Sequence, residues 1–268
     1  MIDFQCKPRY GYEDLLRIME LLRSPGGCPW DREQDHASLR RNLLEECCET
    51  AEAIDRGDPV ALCEELGDVL LQVVFHAQLE REQGGFTMDD VTDGICKKLI
   101  YRHPHVFGSE EVKDSAEESA RWEVMKRREK GQTCAADAVD AVAKTLPALW
   151  RAEKIQRKAS AAGFDWPEAS GAMDKLAEEV AELRQATEDA TRPVDAPHGI
   201  REEVGDVLFV AARIAQRYGV DPEEALHAGC DKFARRFRFV EEHAPEDLVS
   251  LSYAEKAALW ERAKKHES

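Results

Sequence analysis

The sequence predicts an all-α protein built as two tandem copies of one helical bundle, and three observations carry that prediction. Apolar residues recur at helical spacing in both halves of the chain. No stretch alternates apolar and polar residues over a strand's length with β-branched enrichment. Five short blocks of the first half return, in the same order, in the second.

The blocks justify the elements in turn. Cys28-Pro-Trp30-Asp31 is loosely matched by Gly163-Phe-Asp165-Trp166, and Trp30 and Trp166 read as core residues or residues leading into a helix. Leu44-Glu45-Glu46-Cys-Cys-Glu49 is echoed by Ala177-Glu178-Glu179-Val-Ala-Glu182, 133 positions on. In the first of these helices Leu43, Leu44, Cys47, Cys48, Ala51 and Ile54 form one stripe; in the second Leu176, Val180 and Leu183 do. Glu65-Leu-Gly-Asp68 returns as Glu203-Val-Gly-Asp206, 138 on, and each opens a helix that is apolar on every side and so reads as buried. Lys98 and Arg102 return as Lys232 and Arg236. The block from Ala116 to Glu123, with Trp122, returns as Ala254 to Glu261, with Trp260. The copies span 1–130 and 145–268, joined by a small, polar linker at 131–144. Short connections between such helices favour antiparallel bundles.

Bulk properties narrow the function. A length of 268 residues is enough for one large domain or two of ordinary size, and 43% hydrophobic with 34% charged residues suits a globular protein. No run reaches the roughly 18–20 apolar residues of a membrane span, and the N-terminus lacks the basic-then-apolar plan of a secretory signal. A cytoplasmic location is expected. The eight cysteines contain no Cys-x-x-Cys pair, so they read as reduced thiols, with Cys47, Cys48 and Cys63 acting as small hydrophobes. A net charge of −17 argues against a nucleic-acid partner. It leaves room for a small polyphosphate if a metal ion supplies positive charge.

The acids suggest that metal. A carboxylate at the head of a buried helix must be paired, protonated or bound to a cation. Glu203 and Asp206, three apart, share a helix face; on the preceding helix Glu179 borders the apolar stripe, and Glu182 lies further from it on the same side. Packing those helices together converges four carboxylates with no histidine, a hard-oxygen set suited to Mg²⁺, with Mn²⁺ as substitute. Glu178 points away, towards a groove or solvent. Lys232 and Arg236, one turn apart, can reach phosphate oxygens together. Trp260 and Trp122 are candidates to stack on a base, with packing anchors as the plainer reading. His103 and His105, beside Pro104, read as structural or interface residues.

The duplicated Glu-Glu-x-x-Glu and Glu-x-x-Asp motifs, with Gly-Cys-Pro-Trp-Asp near the start and Tyr-Arg-His-Pro-His-Val-Phe at 101–107, resemble the MazG nucleoside triphosphate pyrophosphohydrolases. The resemblance covers nearly the whole chain. It implies the all-α NTP pyrophosphohydrolase fold, Mg²⁺ dependence, a homodimer, and hydrolysis of NTPs and dNTPs of any base to monophosphate and pyrophosphate. It implies that the C-terminal copy is the main catalytic one. Glu179, Glu182, Glu203 and Asp206 would then be the metal ligands. Lys175, Glu178, Glu202, Asp206, Lys232, Arg236 and Trp260 would contact the nucleotide. Glu178 or Glu179 would act as general base, with Lys232 and Arg236 meeting charge on the leaving pyrophosphate. Cys230 departs from the family's frequent Asn two residues before the lysine. The N-terminal copy keeps Glu45, Glu46, Glu49, Glu65, Asp68, Lys98, Arg102 and Trp122 as the makings of a second site. A di-iron oxidase needs two Glu-x-x-His pairs, and only Glu33 to His36 has that spacing. A non-enzymatic nucleotide sensor and a pyrophosphatase restricted to one base remain as alternatives.

Overall fold

The computed structural model describes residues 4–109, 114, 121–122, 125, 129, 131–189 and 193–267. The block from Ala116 to Glu123 therefore lies outside the described residues apart from Arg121 and Trp122. The described secondary structure is helical throughout, and the chain divides into two compact units, Met1–Trp122 and Glu123–Ser268.

The first unit holds α1 (Tyr12–Arg23), α2 (Pro29–Glu33), α3 (His36–Arg56), α4 (Pro59–Glu82), α5 (Met88–Arg102) and α6 (Pro104–Phe107). Its centre is the hairpin of α3 and α4, and local chemistry sets the corner. Asp35 caps α3 by accepting from the amides of Ala37 and Ser38 at 2.9 and 2.8 Å. Gly57 ends that helix at φ 64°, a conformation open to glycine, and Asp58 caps α4 with Pro59 at its first turn. Helix α1 packs on α4 around Met19, Leu39, Val74, Phe75 and Leu79.

The second unit holds α7 (Ala135–Asp140), α8 (Ala148–Ser160), α9 (Ala169–Glu188), α10 (Ile200–Arg217), α11 (Pro222–Glu242) and α12 (Tyr253–His266). Helices α9 and α10 pair as α3 and α4 do, α8 packs on α10, and α12 packs on α11 around Val240, Leu251, Leu259 and Ala263. Asp221 and Pro222 start α11 with the same Asp-Pro device that starts α4.

Several expectations about burial are corrected. Position by position, the buried seam of α3 is Leu39 and Ala53 with Glu46 half-buried between them, and that of α9 is Ala172, Glu179 and Ala186. Seven residues is close to two helical turns, so these triplets face one partner helix. The stripe expected on α3 sits to one side, with Leu44, Cys47, Cys48, Ala51 and Ile54 exposed. The cysteines are free thiols as expected, but Cys47, Cys48 and Cys63 are on the surface rather than acting as core. Nor is either Glu-x-x-Asp helix covered all round: Leu66 and Leu70 on α4, and Val204, Leu208 and Phe209 on α10, are exposed. Trp30 lies in the first turn of α2 and is exposed rather than core. Residues 131–144 are not a bare linker. They include α7, which packs on α8 and buries Ala138, and Val142 is buried too, so they belong to the second unit.

Candidate active site

Glu179 lies midway along the buried seam of α9, and Glu203 in the first turn of α10; they are 5% and 2% exposed. The turn before α10 fixes that first turn. A β-carbon on Gly199, its N-cap, would lie 2.6 Å from the carbonyl oxygen of Ala196 and 2.7 Å from that of Val194, so only glycine fits without the turn shifting. The amide of Glu203 then donates to the Gly199 carbonyl at 3.1 Å, and the helix start favours an anion at that end.

Glu179, Glu182 and Glu203 bring carboxylate oxygens within 4.8 Å of one another. Glu182 is exposed, so the set opens to solvent on one side. The second oxygen of Glu203 is buried and has no hydrogen-bond partner in the protein, a costly state for a carboxylate. Asp206, expected as the fourth convergent ligand, stands half-buried beside these three rather than among them. Burial pushes its carboxyl up, and the neighbouring charges of Glu179 and Glu202 add to that rise. Glu182 is raised by burial and then by Glu179 and Glu203. Three or four carboxylates with an orphaned oxygen fit a hard divalent cation, and the donor set fits Mg²⁺ or Mn²⁺.

A lysine and a histidine adjoin the acids. The Lys175 ammonium lies 2.7 Å from Glu178 and 2.7 Å from Glu179, and the hydrogen bonds to Glu178 and then Glu179 hold its pKa above the ordinary lysine value. The His198 ring lies 3.6 Å from Glu203, while its backbone amide donates to Glu202 at 2.8 Å. Glu202 thus fastens the loop before α10. Sequence reasoning did not find His198, because no periodicity marks a loop residue. Glu178 is exposed and turned away from the buried pair, as its helical angle predicts.

Lys232 and Arg236 both lie on α11, Lys232 exposed and Arg236 half-buried. Arg236 donates to Glu267 at 2.6 Å and sits 6.0 Å over the ring of Trp260. Trp260 packs on Phe233 at 5.2 Å along an apolar groove of about 610 Å³, so it is a packing residue with an open edge. In the first unit Arg102 lies 5.1 Å over Trp122, the matching pair, and His103 contacts Trp122 edge-on while bonding the Leu99 carbonyl at 2.7 Å.

The first unit repeats the acidic cluster with less cover. Glu46, Glu49 and Glu65 come within the same 4.8 Å, with Glu46 and Glu65 half-buried and Glu49 exposed. Asp68 stands beside them, and Glu45 is turned out to Arg41 at 2.8 Å. Burial raises the Glu46 carboxyl, and Asp68, Glu49, Glu65 and Glu45 raise it further. Lys98 is exposed on α5.

Comparison with known proteins agrees with this duplicated geometry. The sequence profile of the MazG nucleotide pyrophosphohydrolase domain matches twice, at 34–107 and 168–240, each match spanning one acidic hairpin. The nucleoside triphosphate pyrophosphohydrolase/pyrophosphatase MazG of Thermotoga maritima is 44% identical over 94% of this chain and 95% of its own. The nucleoside triphosphate pyrophosphohydrolase of Escherichia coli is 40% identical over 94% of this chain and 97% of its own. YabN of Bacillus subtilis, described as uncharacterized, is 44% identical over 93% of this chain and 51% of its own. With both hairpins matched and relatives aligned nearly end to end, the chain belongs to the MazG nucleotide pyrophosphohydrolase family.

Proposed function

We propose that this chain hydrolyses nucleoside triphosphates, ribo- and deoxyribo- alike, to nucleoside monophosphate and pyrophosphate, with Mg²⁺ held in the second unit. The observation that carries the reading is the buried, orphaned oxygen of Glu203 facing a set of carboxylates with one open side. The names of the relatives from T. maritima and E. coli support the same activity.

Glu179, Glu182, Glu203 and Asp206 would hold the metal, which when bound polarises phosphoryl oxygens and makes water a better nucleophile. Glu178, exposed and hydrogen-bonded to Lys175 at 2.7 Å, is the base we assign to take the water's proton, with Glu179 as the alternative. Lys232 and Arg236 supply positive charge for the phosphates. The bond from Arg236 to Glu267 is anion recognition already in use, and a phosphate oxygen would replace that carboxylate. Trp260 presents its open edge to the base. The exposed apolar side chains of α10 support assembly into a homodimer, which would cover Val204, Leu208 and Phe209. No described helix is long and apolar enough to cross a membrane.

The test is to incubate the protein with a panel of eight nucleotides, with and without Mg²⁺, and identify products by chromatography. AMP and pyrophosphate from ATP only with the metal support the reading; ADP and phosphate, or no turnover, refute it. Conversion of a single nucleotide in the panel would instead select the base-restricted enzyme.

A further inference from the structure

The two acidic hairpins differ at one position that matters electrostatically. Lys175 stands four residues before Glu179, one turn away on the same face, and bridges Glu178 and Glu179 at 2.7 Å each. The matching position in the first unit, four residues before Glu46, is Asn42. Arg41, beside it, is turned outward to Glu45 with both side chains exposed. The second cluster therefore contains a fixed ammonium, and the first has an asparagine at the matching position.

We infer that Lys175 is a resident counter-ion of the second cluster, holding the Glu179 carboxylate in place until a divalent cation arrives and then releasing it. The inference rests on the metal-binding reading above and adds a role to a residue otherwise assigned to the nucleotide. A carboxylate as buried as Glu179 needs a partner in the metal-free protein, and Lys175 supplies one at 2.7 Å. The same oxygen cannot serve a lysine and a metal equally well, so metal uptake becomes an exchange of one cation for another. Uptake is then weaker than the acids alone would give, but the ligands are already positioned. Lys175 keeps its bond to Glu178 during the exchange, and so stays at the mouth of the site where a phosphate would enter. Lys175 is a positioning residue in this scheme. The first cluster, lacking such a lysine, would order its acids only as the cation binds.

The test reads metal binding and stability rather than turnover. Mn²⁺ binding to the full chain is measured by isothermal titration calorimetry, with the first cluster disabled by Glu46→Gln and Glu49→Gln. In that background Lys175→Met should tighten Mn²⁺ about tenfold by removing the competing charge. Its melting temperature in EDTA should fall by about 5 °C and recover when Mn²⁺ is added. Lys175→Arg, which keeps the charge, should bind Mn²⁺ within about twofold of the parent. In the reciprocal arm, Asn42→Lys with Glu179→Gln and Glu203→Gln should weaken Mn²⁺ binding to the first cluster by a similar factor, whether or not Lys175→Met folds. Unchanged or weaker Mn²⁺ binding in Lys175→Met, or no weakening in Asn42→Lys, overturns the counter-ion role while leaving the metal site intact. Absence of Mn²⁺ binding to the parent chain overturns the metal reading and this inference with it.

Discussion

The first hairpin and the second carry the same two acidic motifs, five residues further apart in the second, yet only the second buries an acid from each, Glu179 and Glu203. Glu65 lies well inside α4, whereas its counterpart Glu203 lies in the first turn of α10, pinned by the crowded Gly199 turn. Leu39 occupies the end of the α3 seam where α9 has Ala172. The lesson is that a motif gives the ligands, while the turn before it and the smallest side chain of the seam decide how dry they become. A second contrast concerns a guanidinium that fastens a loop in each unit. In the second it belongs to α10: Arg213 pairs with Asp165 of the loop before α9. In the first, the position matching Arg213 is Phe75, and Arg23 of α1 lies 5.5 Å over that ring while holding Glu82 at 2.8 Å and the Asp31 and Gln34 carbonyls. The same loop-fastening charge arrives from a different helix.

The largest effect expected of this comparison is on turnover. Glu203→Gln should lower Mg²⁺-dependent ATP hydrolysis by upwards of about 100-fold, and Glu65→Gln by less than about threefold, at unchanged helical circular dichroism. Equal losses from both would show that the two clusters share the work and that burial is not what separates them. Next, Arg213→Met should destabilise the second unit by about 3 kcal/mol in urea unfolding, because it leaves Asp165 without its main partner. Its effect should exceed that of Arg23→Met, whose partner Glu82 is more exposed than Asp165. Removing the matched helix caps, Asp58→Ala and Asp221→Ala, should cost about 1 kcal/mol each. A larger loss at Asp221 would mark its two 2.9 Å bonds from the Trp150 indole as the difference.

The smallest effect is a pH slope confined to the first unit. Burial and then the positive charge of His36 push the His76 pKa below the usual histidine value of 6.5. The unfolded chain therefore takes up this proton at a higher pH than the folded one. The stability it contributes is present above about pH 6.5 and is lost as pH falls through the folded value. Urea midpoints at pH 7.5 and 5.5 should show that loss, and His76→Phe should flatten it. A slope that survives the substitution would trace to another group.

Much of this organisation is legible in the sequence. The duplication, the helical class and the outward turn of Glu178 follow from spacing alone, because helical angle and repeat offset are local properties. The Lys175–Glu179 pair, four residues apart, is readable in the same way. What spacing cannot give is which of two adjacent apolar stripes is covered. On α3 the stripe through Leu44 and Cys48 is as apolar as the one through Leu39 and Ala53, and only the partner helix chooses between them. The Arg213–Asp165 bond joins residues 48 positions apart, and the approach of His198 to Glu203 depends on a turn. Neither leaves a periodic trace.

Cys47 and Cys48 sit exposed between Glu46 and Glu49, where the second hairpin has Val180 and Ala181. The first hairpin thus carries a reactive sulfur label that its twin lacks. Alkylation followed site by site with mass spectrometry can therefore report occupancy of that hairpin by itself, because a cation drawn between the flanking acids would change how fast the two sulfurs are modified.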